Sequence, residues 1–252
     1  MEQVINNTIV IIAFIQFILA LILINKAVKT KIQVIWLLVF DSFAQALIFL
    51  SFAKFIDLGF LFISIVGMSH LLIVIFVHET FYKGQKRVYF IYLLIIIPCV
   101  IGYILNLFDD SMSYTNPIST YIFAWYNFIL TSSPHFWCSY VILKQYLVFR
   151  NKDIQPWIKM RYLIAGSSHI SWGILGIYTL FHWYFFLNIG YISITYASMV
   201  FSIAITIFTI GYFIAWVMPE PLKKFFNRNY EISDDKELSE EEIMQIIKKG
   251  RS

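Results

Sequence analysis

Charge is scarce in this chain. Asp, Glu, Lys and Arg make up 13% of its 252 residues, about half the share of a soluble domain. Hydrophobic residues reach 60% and aromatics 19%. That apolar surface exceeds what a water-facing globule of this length covers, so composition excludes a soluble core and requires lipid. Cysteine is nearly absent. Cys99 and Cys138 both fall within apolar runs, where they read as buried thiols and report nothing of the redox compartment. No basic-aromatic patch lies outside the apolar runs, which argues against nucleic acid as a partner. There is no phosphate-cradling glycine loop and no nucleophile elbow. Ser193–Trp216 contains no lysine, so a covalent retinal has no anchor in the last span. The first apolar run lacks a basic leader, and no small-residue cleavage site precedes Asn25–Lys31; it is expected to remain in the protein.

What the chain does have is long apolar runs with charged punctuation. Seven spans are expected, at about 4–25, 32–56, 59–82, 88–108, 120–148, 158–185 and 189–217, each with the ~20 residues needed to cross a bilayer. Loop 1–2 carries Lys26, Lys29 and Lys31, and loop 3–4 carries Lys83, Lys86 and Arg87. The junction of the fifth and sixth spans carries Lys144, Arg150, Lys152, Lys159 and Arg161, and the tail carries all the rest except Lys54. Glu2, Asp57, Asp109 and Asp110 lie on the other side with Lys54. The positive-inside rule then puts the N-terminus outside and the C-terminus in the cytoplasm, which requires an odd number of spans. The expected fold is all-α: a polytopic, multi-pass protein of a prokaryotic-type cell membrane. A seven-helix transmembrane domain spans residues 1–217 and a cytoplasmic tail residues 218–252.

The longest outer loop, Asp109–Ser119, turns at Asn116-Pro117 and leaves a large extracellular ligand little to grip. Pro219 and Pro221 stop the seventh helix, and Pro221–Arg228 reads as a short amphipathic helix on the inner surface. Ser239 and Glu242 have capping-box spacing, Leu238 with Ile243 forms a hydrophobic staple, and Gly250 sits at a C-cap. The resulting helix over Leu238–Lys249 either packs back on the protein or docks a cytosolic partner.

The functional lead is a set of ionisable residues inside the spans, where such groups are costly. At 1.5 Å per residue, His70, His135 and His169 fall within several Å of the midplane on spans three, five and six. Asp41 lies in span two, slightly nearer the cytoplasm, with Gln45 one turn on along the same face. Serines flank each histidine, and Pro134 frees a backbone carbonyl one turn earlier. Gly166, Gly173 and Gly176 permit close helix approach. Histidine in such a place is a hydrogen-bonding strut, a proton relay, or a metal or haem ligand. His70, His135 and His169 are the candidate metal ligands, though no cofactor-specific spacing accompanies them. His78 with Glu79, by contrast, reads as an ion pair near the cytoplasmic interface.

The layout resembles the seven-helix sensor region found N-terminal to many prokaryotic histidine kinases. The likeness rests on a compact outer face and on the basic loop Phe81-Tyr82-Lys83-Gly84-Gln85-Lys86-Arg87. It rests also on the fifth helix, ending Gln145-Tyr146-Leu147-Val148-Phe149-Arg150, and on Lys159-Met160-Arg161 opening the sixth. It covers residues 5–217 and implies signal detection by the bundle. Residues 218–252 hold no kinase, cyclase or phosphatase domain, so the expected output passes to a separate protein. The reading is a receptor-like sensor whose small or lipid-soluble ligand contacts Asp41, Gln45, His70, His135 and His169. Two alternatives stay open. One is an intramembrane metal or haem enzyme using the same histidines. The other is a small-solute transporter, to which the faint echo of Ile32-Gln33-Val34-Ile35-Trp36 in Ile154-Gln155-Pro156-Trp157 belongs.

Overall fold

The computed structural model describes residues 2–58, 61–83, 85, 88–97, 100, 117–152, 154–189, 194–228, 230 and 242. Every regular element among them is helical: α1 (Glu2–Thr30), α2 (Ile35–Phe52) and α3 (Leu61–Val77), the last continued by a π-helical turn over His78–Tyr82. Then come α4 (Val88–Ile97), α5 (Pro117–Arg150), α6 (Pro156–Ile189), α7 (Ile194–Val217) and α8 (Glu220–Asn227). Cys99, the outer turn before Pro117 and the expected helix over Leu238–Lys249 lie outside the described residues.

Among the described residues, four segments are long and apolar enough to cross a membrane: Gln3–Thr30, Ile35–Phe52, Ser64–Tyr82 and Met199–Val217. They fall on the first, second, third and seventh expected spans. The helices α5 and α6 are each 34 residues, about 51 Å at 1.5 Å per residue. They carry His135 and His169, together with the buried Ser132, Ser139 and Ser168 and the glycines Gly166, Gly173 and Gly176. Side chains that face outward are strongly apolar. Ile11, Phe14, Ile18 and Leu21 on α1, and Ile203, Ile207 and Ile210 on α7, are all largely exposed. An apolar outer face of this extent suits lipid, not water.

The helices close into a ring. Each neighbour pair packs in the order α1, α2, α3, α5, α6, α7, and α7 returns to α1. Helices α5 and α6 approach closely, and glycine explains it. A Cβ on Gly166 would sit 2.6 Å from Leu143 Cγ, and one on Gly173 would sit 2.7 Å from the Phe136 ring. A Cβ on Gly176 would sit 3.0 Å from the Ser132 backbone nitrogen. Three small residues on one face of α6 thus let α5 come in to near backbone contact, as the glycine pattern predicts. Helix α7 ends at Met218, a buried non-glycine residue at φ 42°, and Pro219 then occupies the N-cap of α8.

That last helix has no buried residues, as expected for a basic-aromatic surface helix. It is nevertheless moored to the start of α6. The Trp157 backbone N–H donates to Asn227 Oδ1 at 3.2 Å, and the Lys223 ammonium lies 4.9 Å from the Trp157 ring centroid. An N-terminal N–H of α6, without an intrahelical acceptor, is thereby capped from the opposite end of the chain. Glu220, beyond the spans, accepts from Lys223 at 2.8 Å. That bond holds its carboxyl below the usual glutamate range.

Candidate functional site

The ring turns its polar side chains inward. Asp41, Gln45, His70, His135 and His169 are all at most 2% exposed, and they form two adjoining clusters.

The first surrounds Asp41. Ser69 Oγ donates to Asp41 Oδ1 at 2.5 Å. Gln45 Nε2, one turn along α2, lies 3.5 Å from the same oxygen and 3.4 Å from Ser69 Oγ. Tyr212 OH, from α7, reaches Asp41 Oδ2 at 3.4 Å. A buried carboxyl group without such partners would be strongly destabilising. Here α2, α3 and α7 each supply a donor.

The second cluster is the histidines. His70 and His135 meet edge to face, with ring centroids 5.4 Å apart. His135 and His169 centroids are 5.2 Å apart, and their Nδ1 atoms are separated by 3.0 Å. At that distance one Nδ1 carries the proton and the other accepts it, so the two tautomers are coupled. The donor ring, if neutral, presents a bare Nε2. Phe208 and Trp172 wall this layer at 5.8 Å and 5.6 Å from His135. The clusters join where His169 meets the Tyr212 ring at 5.6 Å, and through Ser69 beside His70.

Hydrogen-bonding capacity is left over. Among the described residues, neither ring nitrogen of His70 has a partner, nor does Nε2 of His135. The Trp172 indole N–H, Ser42 Oγ and Gln45 Oε1 are likewise buried without one. Native interiors satisfy such groups with few exceptions, so a concentration of exceptions marks a place where something else supplies the bonds. The layer can therefore hold a ligand with mixed donors and acceptors, or pass a proton between rings. Among the described residues, no three His, Cys, Asp or Glu side chains group closely enough to hold a metal ion.

Several members of this interior are not singled out by sequence reasoning. Tyr212 belongs to the Asp41 cluster, and Gln16 donates from α1 to Thr209 Oγ1 on α7 at 3.2 Å. Gln16 had a signal: it is the lone polar side chain between Thr8 and Asn25, at mid-span where polarity is costly. Tyr212 had none, because tyrosine is common near membrane interfaces. His78 and Glu79 lie apart from the site. They sit 3.3 Å from each other, with Lys83 3.0 Å from Glu79, as an ion-paired group at the end of α3.

No family model, no curated protein and no solved structure matches this chain. Function is therefore argued from the geometry.

Proposed function

We propose that this chain is a receptor-like membrane sensor. Its seven spans, over residues 1–217, run with the N-terminus outside and the C-terminus in the cytoplasm. Residues 218–252 form the tail that addresses a separate cytosolic protein, with Leu238–Lys249 as the docking helix. A small or lipid-soluble ligand binds among Asp41, Gln45, His70, His135 and His169. The observation that carries this reading is His70: a fully buried imidazole whose two nitrogens have no partner among the described residues, in contact with a coupled histidine pair. A packing strut has its hydrogen bonds satisfied inside the protein, whereas a ligand-contacting group keeps them for the ligand. The mooring of α8 to Trp157 supports the output route, since a shift of α6 carries the tail with it.

The test is solvent extraction of detergent-purified protein, followed by mass spectrometry, for the parent and for His70→Leu. The expected result is a co-purifying small molecule that the variant loses while its melting temperature holds. Equal recovery from both proteins, or none from either, sinks the ligand reading. Orientation is tested separately by accessibility labelling of single cysteines placed at Asp57 and Lys83. Labelling of the Asp57 position from outside and protection of the Lys83 position is expected.

A further inference from the structure

Asp41 is fully buried, and its hydrogen-bond partners among the described residues are all neutral: Ser69, Gln45 and Tyr212. No lysine, arginine or histidine among them pairs with it. An ionised carboxyl group in such a place needs a positive charge beside it. Two of its three contacts are also poor hydrogen bonds. Ser69 Oγ is close, at 2.5 Å. The Gln45 amide lies 3.5 Å from Asp41 Oδ1 and 3.4 Å from Ser69 Oγ, and Tyr212 OH lies 3.4 Å from Oδ2. These exceed the roughly 2.7–3.2 Å of ordinary hydrogen bonds.

Lengths near 3.4 Å suit a different arrangement. Adjacent corners of an octahedron stand apart by the bond length times the square root of two. An edge of 3.4 Å therefore belongs to bonds of about 2.4 Å, the length of oxygen bonds to a hard cation of calcium size. Gln45 can supply such an oxygen. Its Oε1 is buried without a partner, and a half-turn of the amide exchanges oxygen and nitrogen. Turned that way, the amide gives up only two long bonds and presents its oxygen to Asp41 at the same distance.

We propose that Asp41, Gln45 and Tyr212 bind a monovalent cation of sodium size, with Ser69 holding the carboxyl group in position. The donors are all oxygen, the choice of hard cations, and water completes such a set. One carboxylate balances one charge, whereas a divalent ion would leave a net charge in a low-dielectric interior. Potassium is larger and needs a wider cage. A cation here ties α7 to α2, and the Tyr212 ring that it fixes is the one His169 touches. The inference goes beyond the ligand reading and does not rest on it, although Asp41 and Gln45 belong to both.

The experiment uses the full-length protein in dodecyl maltoside at about pH 8, well above the ordinary carboxylate range. Melting is followed against sodium, potassium and choline chlorides at matched ionic strength. The expected result is a saturable rise with sodium, weaker with potassium and absent with choline. A rise of about 3–6 °C is expected at roughly ten times the half-saturating concentration. Asp41→Asn should abolish it. Gln45→Met should raise the half-saturating concentration at least about tenfold. Glu220→Gln, which removes a carboxyl group from α8, should leave it unchanged. Should Asp41→Asn fail to fold, Tyr212→Phe makes the comparison, again with at least about a tenfold rise. Equal responses to sodium and choline, or to sodium and potassium, overturn the proposal. So does a sodium response that survives Asp41→Asn or is lost with Glu220→Gln. A sodium response without a co-purifying molecule removes the ligand reading alone, and the converse removes the cation alone.

Discussion

The approach of α5 to α6 sets the spacing of His135 and His169, so it offers the sharpest test of the architecture. Consider alanine at Gly176 and at Gly166, two positions on the same face of α6. At Gly176 the new methyl would meet the Ser132 backbone nitrogen at 3.0 Å, besides Ser132 Oγ and the Thr131 Cβ at 3.2 Å, which is fixed to the backbone. Backbone cannot rotate away, so the helices must separate. That costs about 1–3 kcal/mol of overpacking. It also strains the 2.8 Å bond from Ser132 Oγ to the Gly173 carbonyl, worth about 0.6 kcal/mol in a membrane bundle. Alanine returns about 1 kcal/mol through helix propensity, leaving a net loss of about 0.6–2.6 kcal/mol. At Gly166 the methyl would meet the Leu143 side chain, at 2.6 Å and 2.7 Å, with the nearest backbone atom at 3.4 Å. Leu143 is half-exposed on the outer face and can change rotamer, so the propensity gain offsets the clash and the net effect is within about 0.5 kcal/mol. Equilibrium unfolding in mixed micelles, driven by dodecyl sulfate and followed by circular dichroism, measures both. If Gly176→Ala proves as stable as Gly166→Ala, the claimed near-backbone contact is wrong, and the His135–His169 distance with it.

Other consequences can be checked with the same assay or a simple variant of it. Ser69→Ala removes the shortest bond to Asp41 and should cost about 0.6–1.7 kcal/mol; with Tyr212→Phe it should give a double-mutant cycle that is non-additive by at least about 0.5 kcal/mol, because both donors serve one carboxyl group. Additive losses there would mean that Asp41 is not their shared partner. Asn227→Ala removes the cap on α6 and should cost about 0.5–2 kcal/mol, with faster proteolysis between Pro219 and Tyr230; unchanged cleavage would show that α8 is not held by this bond. An absorption spectrum and elemental analysis of the purified protein should show no Soret band and no stoichiometric zinc or iron, and either signal would favour the metal or haem alternative over a sensor.

Rise per residue converts position along a span into distance from the interface, so the sequence alone gives the histidines one expected depth. Their convergence was a weaker inference, since depth says nothing of azimuth. In a soluble helix the apolar stripe marks the inner face. Here the rule inverts: on α7, Ile203, Ile207 and Ile210 face outward while Ser202, Thr209 and Tyr212 are buried. Apolar periodicity is therefore nearly blank, and polar residues carry the directional signal. That is why Gln16 on α1 could have been read as inward-facing, and why the glycines of α6 pointed to the α5 contact. The placing of Arg161 was not legible. Its guanidinium lies over the Trp216 ring at 4.9 Å and the residue is buried, whereas a positive-inside count treats Arg161 as one more loop charge.

Tyr212 connects the two halves of this interior. Its hydroxyl reaches Asp41 and its ring touches His169. One turn further along α7, Trp216 packs against it at 6.1 Å and carries the Arg161 guanidinium on its ring. Of the donors on Asp41, Ser69 sits at 2.5 Å and Tyr212 at 3.4 Å, so the bond across to α7 is the weaker one by geometry. A displacement of α7 relative to α2 therefore breaks it first, while Ser69 keeps the carboxyl group satisfied. The Tyr212→Phe variant isolates it: stability should fall less than in Ser69→Ala, because its bond to Asp41 is 3.4 Å against 2.5 Å. A loss equal to that of Ser69→Ala would show that the bond across to α7 is not the weaker one.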